Sequence, residues 1–237
     1  GSRRIFYELK DFLYLDAKSV NGTTLGEEIK NSAKWKQNII TDKSNPVFNA
    51  GSIAVLKGTL APNSAIIKQS AATQSLLIHE GRAVVFEGLE DLANRIDRDD
   101  LDVTKDDVLV LKSIGPKGGP GMPEAGLIPI PKKLAKQGVK DMVRISDGRM
   151  SGTASGTIIL HVTPESYENG PLAIVQNGDL IKLDVPKRKI DLMISEEEIA
   201  ERLLKRKKVN MRRRGYNKIY MEHVTQANRG VDFDFLI

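Results

Sequence analysis

Between residues 45 and 195 the apolar positions fall in short β-rich runs, at 52–56, 65–68, 82–86, 108–112, 142–145, 157–162, 172–175, 179–185 and 189–194. Gly, Pro, Asn and Asp separate them, as turns separate strands. Each run predicts a strand, and helices are predicted only at 89–96 and 131–137. Many short strands without regular helical crossovers predict an α+β fold, mainly β: a closed or nearly closed barrel with flanking helices, not a doubly wound sheet.

The two ends read differently. Over 3–36 Ile5, Leu9, Phe12 and Leu13 share one helical face, and Thr24 with Glu27 forms a capping box ahead of Ile29, so this stretch is predicted to be all helix. Beyond the barrel, Ser195 caps a helix with Glu198 as its partner, and 216–228 predicts one more short helix. The expected organisation is a helical segment at 3–44, a barrel at 45–208 and a C-terminal helix and tail at 209–237.

Charge adds little to this picture. The 237 residues hold 36 basic and 31 acidic side chains, net +5, with a dense basic run at 202–214. That run has no interleaved aromatics and follows Glu196, Glu197 and Glu198, so acid opens the helix and base closes it, as the helix dipole favours. A solvated helix end is therefore expected and nucleic acid is not an expected partner. No apolar stretch approaches the ~20 residues that span a bilayer, so no membrane partner and a cytoplasmic location are expected. Gly1-Ser2 in place of an initiator Met reads as a tag-cleavage scar, which makes the chain an expected fragment. With no Cys, the chain can supply neither a disulfide nor thiolates for zinc or an iron–sulfur cluster.

Candidate chemistry concentrates in two loops. The first, GPKGGPGMPEAG, holds five glycines (115, 118, 119, 121, 126) and three prolines (116, 120, 123). Such a segment fixes an irregular backbone that a ligand can approach closely. Its only carboxylate is Glu124. A lone loop Glu is ordinarily just solvated, but one in a rigid loop after a buried strand is a candidate ligand for Mg²⁺, which accepts one or two carboxylates plus water and substrate oxygens. The loop lacks the GK[ST] ending of a P-loop.

The second loop lies in RISDGRMSGTASGTIILHVTP, residues 144–164, where Ser151 follows Asp147 by four positions. Ser and Asp there can simply satisfy backbone donors in a turn; alternatively Ser151 is a catalytic hydroxyl. No GxSxG elbow surrounds it and only His161, on the following strand, is near enough in sequence to approach it, so a hydrolase triad is not expected. Three histidines (79, 161, 223) leave little room for a multi-His metal site.

The stretch GGPGMPEAGLIPIPKKLAKQGVKDMVRISDGRMSGTASGTIILHVTPES resembles the C-terminal domain of the dihydroxy-acid and sugar-acid dehydratases, and the similarity runs from about Leu15 to the terminus. PKGGPGMPEAGLIPIPKKL, MVRISDGRMSGTASGT and RGYNKIYMEHVTQANRGVDFDFL look more like the aldonate (arabinonate, xylonate) branch than the branched-chain biosynthetic enzyme.

The resemblance implies a swivelling β-barrel preceded by the helical end of an N-terminal domain. It also implies loss of water from a 2,3-dihydroxy acid, through an enol, to a 2-keto-3-deoxy acid. It gives Ser151 as the base at C2, Glu124 as the one Mg²⁺ ligand from this part, Thr153 and Arg149 as substrate contacts, with Arg149 alternatively a loop brace, and His161 as a further contact. The implied cofactors are Mg²⁺ and an iron–sulfur cluster, 2Fe-2S in preference to 4Fe-4S, whose ligands lie in the N-terminal domain. The implied partners are a sugar acid, that N-terminal domain and further copies of the chain in a dimer or tetramer. The fragment alone is expected to be inactive. A dihydroxy-acid dehydratase of branched-chain synthesis, or a non-enzymatic barrel-type binding module, is the alternative.

Overall fold

The structure, a computed structural model, describes residues 1–32, 37–206 and 214–236, in two compact units, Gly1–Gly51 and Ser52–Ile237. In the first unit helix occupies only α1 (Ser2–Glu8), a 3-10 turn at Lys10–Phe12 and α2 (Leu25–Ile29). The predicted continuous helix is therefore corrected. Glu28 gathers hydrogen bonds from the Ser19, Asn21 and Thr23 side chains, and Gly22 has φ 79, so a side-chain-braced turn separates the helices. The predicted Thr24–Glu27 capping box is present in both directions. Residues 33–36 of the predicted helix lie outside the described residues.

The second unit holds one eight-stranded sheet: β1 (Ala54–Leu56), β2 (Ser64–Ile67), β3 (Ile78–Phe86), β4 (Val108–Leu111), β5 (Arg144–Ser146), β6 (Ile158–Thr163), β7 (Leu180–Asp184) and β8 (Lys189–Leu192). The order is β1-β2-β6-β5-β4-β3-β7-β8. Lys57, just past β1, makes a parallel bridge to Lys189: its N–H donates to Arg188 O (3.0 Å) and its carbonyl accepts from Ile190 N–H (3.2 Å). These bonds join the two edges of the sheet.

The four middle strands, β6-β5-β4-β3, are parallel, with antiparallel β2/β1 and β7/β8 on either side. Parallel neighbours need crossovers. Helices α3 (Leu89–Arg95) and α4 (Lys132–Lys136), close to the predicted 89–96 and 131–137, lie on two of them; the parallel pairing that they connect was not expected from the pattern. Along β3, Ala83 and Val85 face the barrel interior, while Val84 and Phe86 pack outward with Leu92 and Leu134 of the helices. β4 divides the same way, Val108 and Val110 inward, Leu109 and Leu111 outward. Two covered faces explain its unbroken apolar sequence. β7, with one face open, alternates instead.

The predicted strand at 172–175 is corrected to a 3-10 turn, Pro171–Ile174. Gly170 just before it is pressed on Pro164, where a Cβ would meet the carbonyl oxygen at 1.8 Å, so the chain bends instead of extending. Leu172 and Ile174 still enter the barrel core. Helix α5 (Glu196–Lys205) has the predicted Ser195 cap, 3.1 Å from Glu198 N. Its Arg202 pairs with Asp179 at 2.6 Å, whereas residues 207–213 of the basic run lie outside the described residues. Helix α6 (Tyr216–His223) is shorter than predicted and is followed by a 3-10 turn at Ala227–Arg229. Among the described residues, no helix is long and apolar enough to cross a membrane.

Candidate functional site

β4 and β5 are adjacent and parallel, so the loops that leave their carboxyl ends, 113–126 and 147–157, emerge side by side at one end of the barrel. Crevices outside the carboxyl ends of parallel strands are where open α/β sheets bind ligands. The two loops interlock here. Gly126 N–H donates to Arg149 O at 2.7 Å, and a Cβ at Gly126 would lie 2.4 Å from Leu160 Cδ2 and 2.8 Å from Arg149 O. Gly148 sits equally tightly under Ile114, where a Cβ would meet Cδ1 at 2.4 Å. Glycine at each crossing lets one backbone lie on the other.

Side chains reinforce the crossing. Arg149 Nε donates to Met122 O (2.6 Å) and Nη1 to Glu124 Oε1 (2.7 Å), which joins the two loops through one guanidinium. The Asp147 carboxylate, fully buried, accepts from Ser113 N–H (3.2 Å), Ile114 N–H (3.0 Å) and Ser166 N–H (2.9 Å). Burial pushes its pKa above the usual carboxylate value in spite of those donors. Asp147 is thus an internal brace and Ser146, whose Oγ accepts from Gly148 N–H at 3.0 Å, is a second one.

Ser151 stands at the exposed side of its loop. Its Oγ lies 3.0 Å from Thr153 Oγ1 and 3.4 Å from Thr153 N. Lys68 Nζ donates to Gly152 O at 2.7 Å, a contact from β2's end that sequence reading missed. A cavity of about 260 Å³ is lined by Ser151, His161, Lys68, Met150 and Leu160 among others. No hydrogen bond runs between Ser151 and Glu124 themselves; Arg149 connects their neighbourhoods.

His161 enters that cavity because β6 carries an extra residue. Ser64 faces Thr163 and Ile66 faces Leu160, so two steps on β2 match three on β6, and His161 takes φ 52. Such bulges re-aim side chains. Its N–H donates to Gly148 O at 3.1 Å, while Nδ1 is buried with no partner. Burial, with the charge of Arg149 added, lowers the imidazole pKa. The other histidines are elsewhere: His79 Nε2 contacts Asp106 O at 2.9 Å and His223 Nδ1 contacts Asp234 at 2.9 Å.

The donor set at this end is hard: one carboxylate, Glu124, with the hydroxyls of Ser151 and Thr153 in the neighbouring loop. That suits a divalent cation that keeps most of its water, as Mg²⁺ does. Among the described residues there is no cluster of three His, Cys, Asp or Glu for a complete all-protein metal site. With no Cys in the chain, its residues do not fit an iron–sulfur cluster. Two larger cavities, of about 490 and 650 Å³, contain no candidate residue. In the first, Lys112 is already held by Glu87 (2.9 Å) and Val175 O (2.7 Å).

Comparison with known proteins identifies the family. Residues 38–231 match the family model described as "Dihydroxy-acid/6-phosphogluconate dehydratase C-terminal". The chain is 46% identical to an L-arabinonate dehydratase of Rhizobium leguminosarum bv. trifolii, covering 94% of this chain and 39% of that protein. It is 41% identical to a 6-deoxy-6-sulfo-D-gluconate dehydratase of Pseudomonas putida, over 100% of this chain and 42% of the other. A dihydroxy-acid dehydratase of Carboxydothermus hydrogenoformans is 40% identical, over 94% and 40%. The chain spans about two fifths of the length of these relatives. On the match to 38–231, the chain belongs to the dihydroxy-acid/6-phosphogluconate dehydratase family, of which it carries the C-terminal domain.

Proposed function

We propose that this chain forms part of a hydro-lyase that removes water from a 2,3-dihydroxy sugar acid to give a 2-keto-3-deoxy acid. The observation that carries the reading is the interlock of the Glu124 and Ser151 loops through Arg149 at the carboxyl ends of β4 and β5. Identity is higher to the arabinonate and sulfogluconate dehydratases than to the dihydroxy-acid dehydratase, which supports a sugar acid as substrate.

Ser151 Oγ takes the proton from C2. A free hydroxyl is a very weak acid, so its alkoxide needs nearby donors and positive charge. The Thr153 hydroxyl and N–H, 3.0 and 3.4 Å away, are the donors this chain provides. Glu124 would be this chain's single ligand to a magnesium ion, which would supply the Lewis-acid charge that depresses hydroxyl pKa values. Arg149 orients Glu124 and offers its charge to the substrate carboxylate. The electron pair left at C2 forms the enol double bond as the C3–O bond breaks; the departing hydroxide takes up one proton to leave as water, balanced by the C2 proton that Ser151 gives up to regenerate its alkoxide, and the enol tautomerises to the ketone. With no thiolate in this chain, the ligands of an iron–sulfur cluster and a group that assists departure at C3 would come from outside it. Thr153 and His161 line the substrate's approach.

Exchange of the substrate C2 proton with solvent deuterium, measured in the parent enzyme and in Ser151→Ala, tests the assignment. Exchange is expected to vanish in the variant. Exchange at the wild-type rate would give the base role to another group.

A further inference from the structure

The Gly-rich loop is held by a second buried carboxylate that the proposed reaction does not use. Glu165 follows β6, is fully buried, and accepts Lys117 N–H (3.0 Å to Oε1, 3.1 Å to Oε2) and Gly118 N–H (3.0 Å to Oε2). Gly115 is packed against it, with room for no Cβ: one would lie 2.7 Å from Oε2. The carboxylate fills the concave face of the loop's backbone amides, where a bound anion sits in other glycine-rich loops.

Gln226 completes the arrangement from 61 residues away. Its Nε2 donates to Glu165 Oε1 at 2.6 Å and its Oε1 accepts from Glu165 N–H at 2.9 Å. The segment that carries Gln226 is itself folded into a closed loop, since Thr225 N–H donates to Asp232 O at 2.8 Å and Val224 bridges Phe233. From Gly118 the path to Glu124 is short. Gly119 N–H bonds Gly115 O (2.8 Å) and Met122 N–H bonds Gly119 O (2.7 Å), which leaves Pro123 and then Glu124.

A buried carboxylate is an expensive way to gain stability, because its desolvation offsets most of what its hydrogen bonds return. It does fix one loop geometry.

We infer that Gln226 and Glu165 are positioning residues, a latch through which the C-terminal segment sets the Gly-rich loop and hence the Glu124 carboxylate. The inference rests on the reading of Glu124 as a metal ligand.

The test uses the parent enzyme, with Gln226→Met and Glu165→Gln, and Glu124→Gln as reference. Hydrogen exchange at the amides of residues 117–122 and Mn²⁺ affinity by electron paramagnetic resonance are measured beside kcat and KM. In both latch variants exchange should quicken by at least ~10-fold, as expected when a local opening becomes easier. Mn²⁺ should bind about 10-fold more weakly, the usual scale for losing a group that orients a ligand, with kcat at saturating metal kept within about twofold. Exchange at the wild-type rate overturns the latch. Faster exchange with unchanged Mn²⁺ affinity overturns it as well, provided Glu124→Gln weakens Mn²⁺. If Glu124→Gln binds Mn²⁺ as the wild type does, the metal reading of Glu124 fails, and exchange alone decides whether the latch holds the loop. Should Gln226→Met not fold, Gln226→Ser carries the same measurements.

Discussion

Arg149 reaches back across the loop crossing to place its Nη1 2.7 Å from Glu124 Oε1, while its Nε holds Met122 O at 2.6 Å. One planar side chain therefore fixes both the direction of the carboxylate and the backbone two residues before it. A guanidinium can do this because its donors sit in a rigid fork; an ammonium is a single point charge on a flexible stem.

Arg149→Lys should consequently keep the charge and lose the geometry. In the parent enzyme kcat/KM is expected to fall by about 10-fold or more, the scale of ~1.4 kcal/mol in transition-state stabilisation. Steady-state kinetics on an aldonate check it. Retention of wild-type kcat/KM would reduce Arg149 to a surface brace.

Ser151 and Ser146 separate chemistry from structure five residues apart. Ser151→Ala should leave the melting temperature near wild type and lower kcat by at least ~10²-fold, the lower end of what a positioned base contributes. Ser146→Ala strands the buried Gly148 N–H, whose 3.0 Å bond to Ser146 Oγ it removes. Its cost should appear in stability, about 1–3 kcal/mol, with a far smaller loss in kcat than at 151. Thermal melts and kinetics on both variants make the comparison. A large kcat loss in Ser146→Ala at unchanged stability would contradict the structural role.

How much of this was written locally in the chain depends on how far apart the partners are. β4 is a continuous apolar run, β6 opens on one (Ile158, Ile159, Leu160), and the Thr24 and Ser195 caps are spelled within four residues, so each was legible. The parallel order of β3 to β6 was not, because both covered faces of β4 are apolar and no local signal names its neighbours. Segment 172–175 has the composition of a strand and the burial of one, yet the contact of Gly170 on Pro164 bends it into a turn. At the site, Glu124 and Ser151 stood out through a family resemblance and a dense glycine pattern. Their supports did not: Glu165 meets Lys117 across 48 residues, and Lys68 meets Gly152 across 84. The bulge that turns His161 inward exists only in the pairing of β2 with β6.

The serine loop's far end gives a stability prediction. Gly156 has φ 122, and a Cβ there would meet Arg144 Nη2 at 2.0 Å and Asp141 Oδ1 at 2.8 Å. Arg144 cannot swing aside, being held by Asp141 (2.7 Å) and Ile128 O (3.0 Å) inside the protein. Asp141 in turn accepts from Thr73 and Thr157, each at 2.7 Å. Burial raises its pKa, but these donors and the Arg144 charge outweigh that and hold it low. Gly156→Ala should lower the melting temperature by about 4–8 °C, a cost of ~2 kcal/mol in a domain of this size. Gly152→Ala, with nothing within 4 Å of its Cβ, should melt as the wild type does. Equal melting temperatures for all three proteins would disprove the clash.

His161 should make stability depend on pH in a direction fixed by its surroundings. Burial, then the Arg149 charge, holds its folded pKa below the ordinary value of 6.5. The unfolded chain binds a proton as pH falls through about 6.5, while the folded protein does so only at lower pH. Its contribution is therefore complete above 6.5 and is lost as pH falls toward the folded pKa. Asp147 and Glu165, whose folded pKa values are raised by burial, act in the opposite sense and favour the fold as pH falls. They are common to the wild type and His161→Gln, so the difference between the two proteins isolates the imidazole. From pH 7.5 to 5.5 the wild type should lose stability relative to His161→Gln, as read by urea denaturation at both pH values. Parallel curves would mean that the imidazole takes up its proton as freely in the folded cavity as in water, and that Nδ1 finds a partner there.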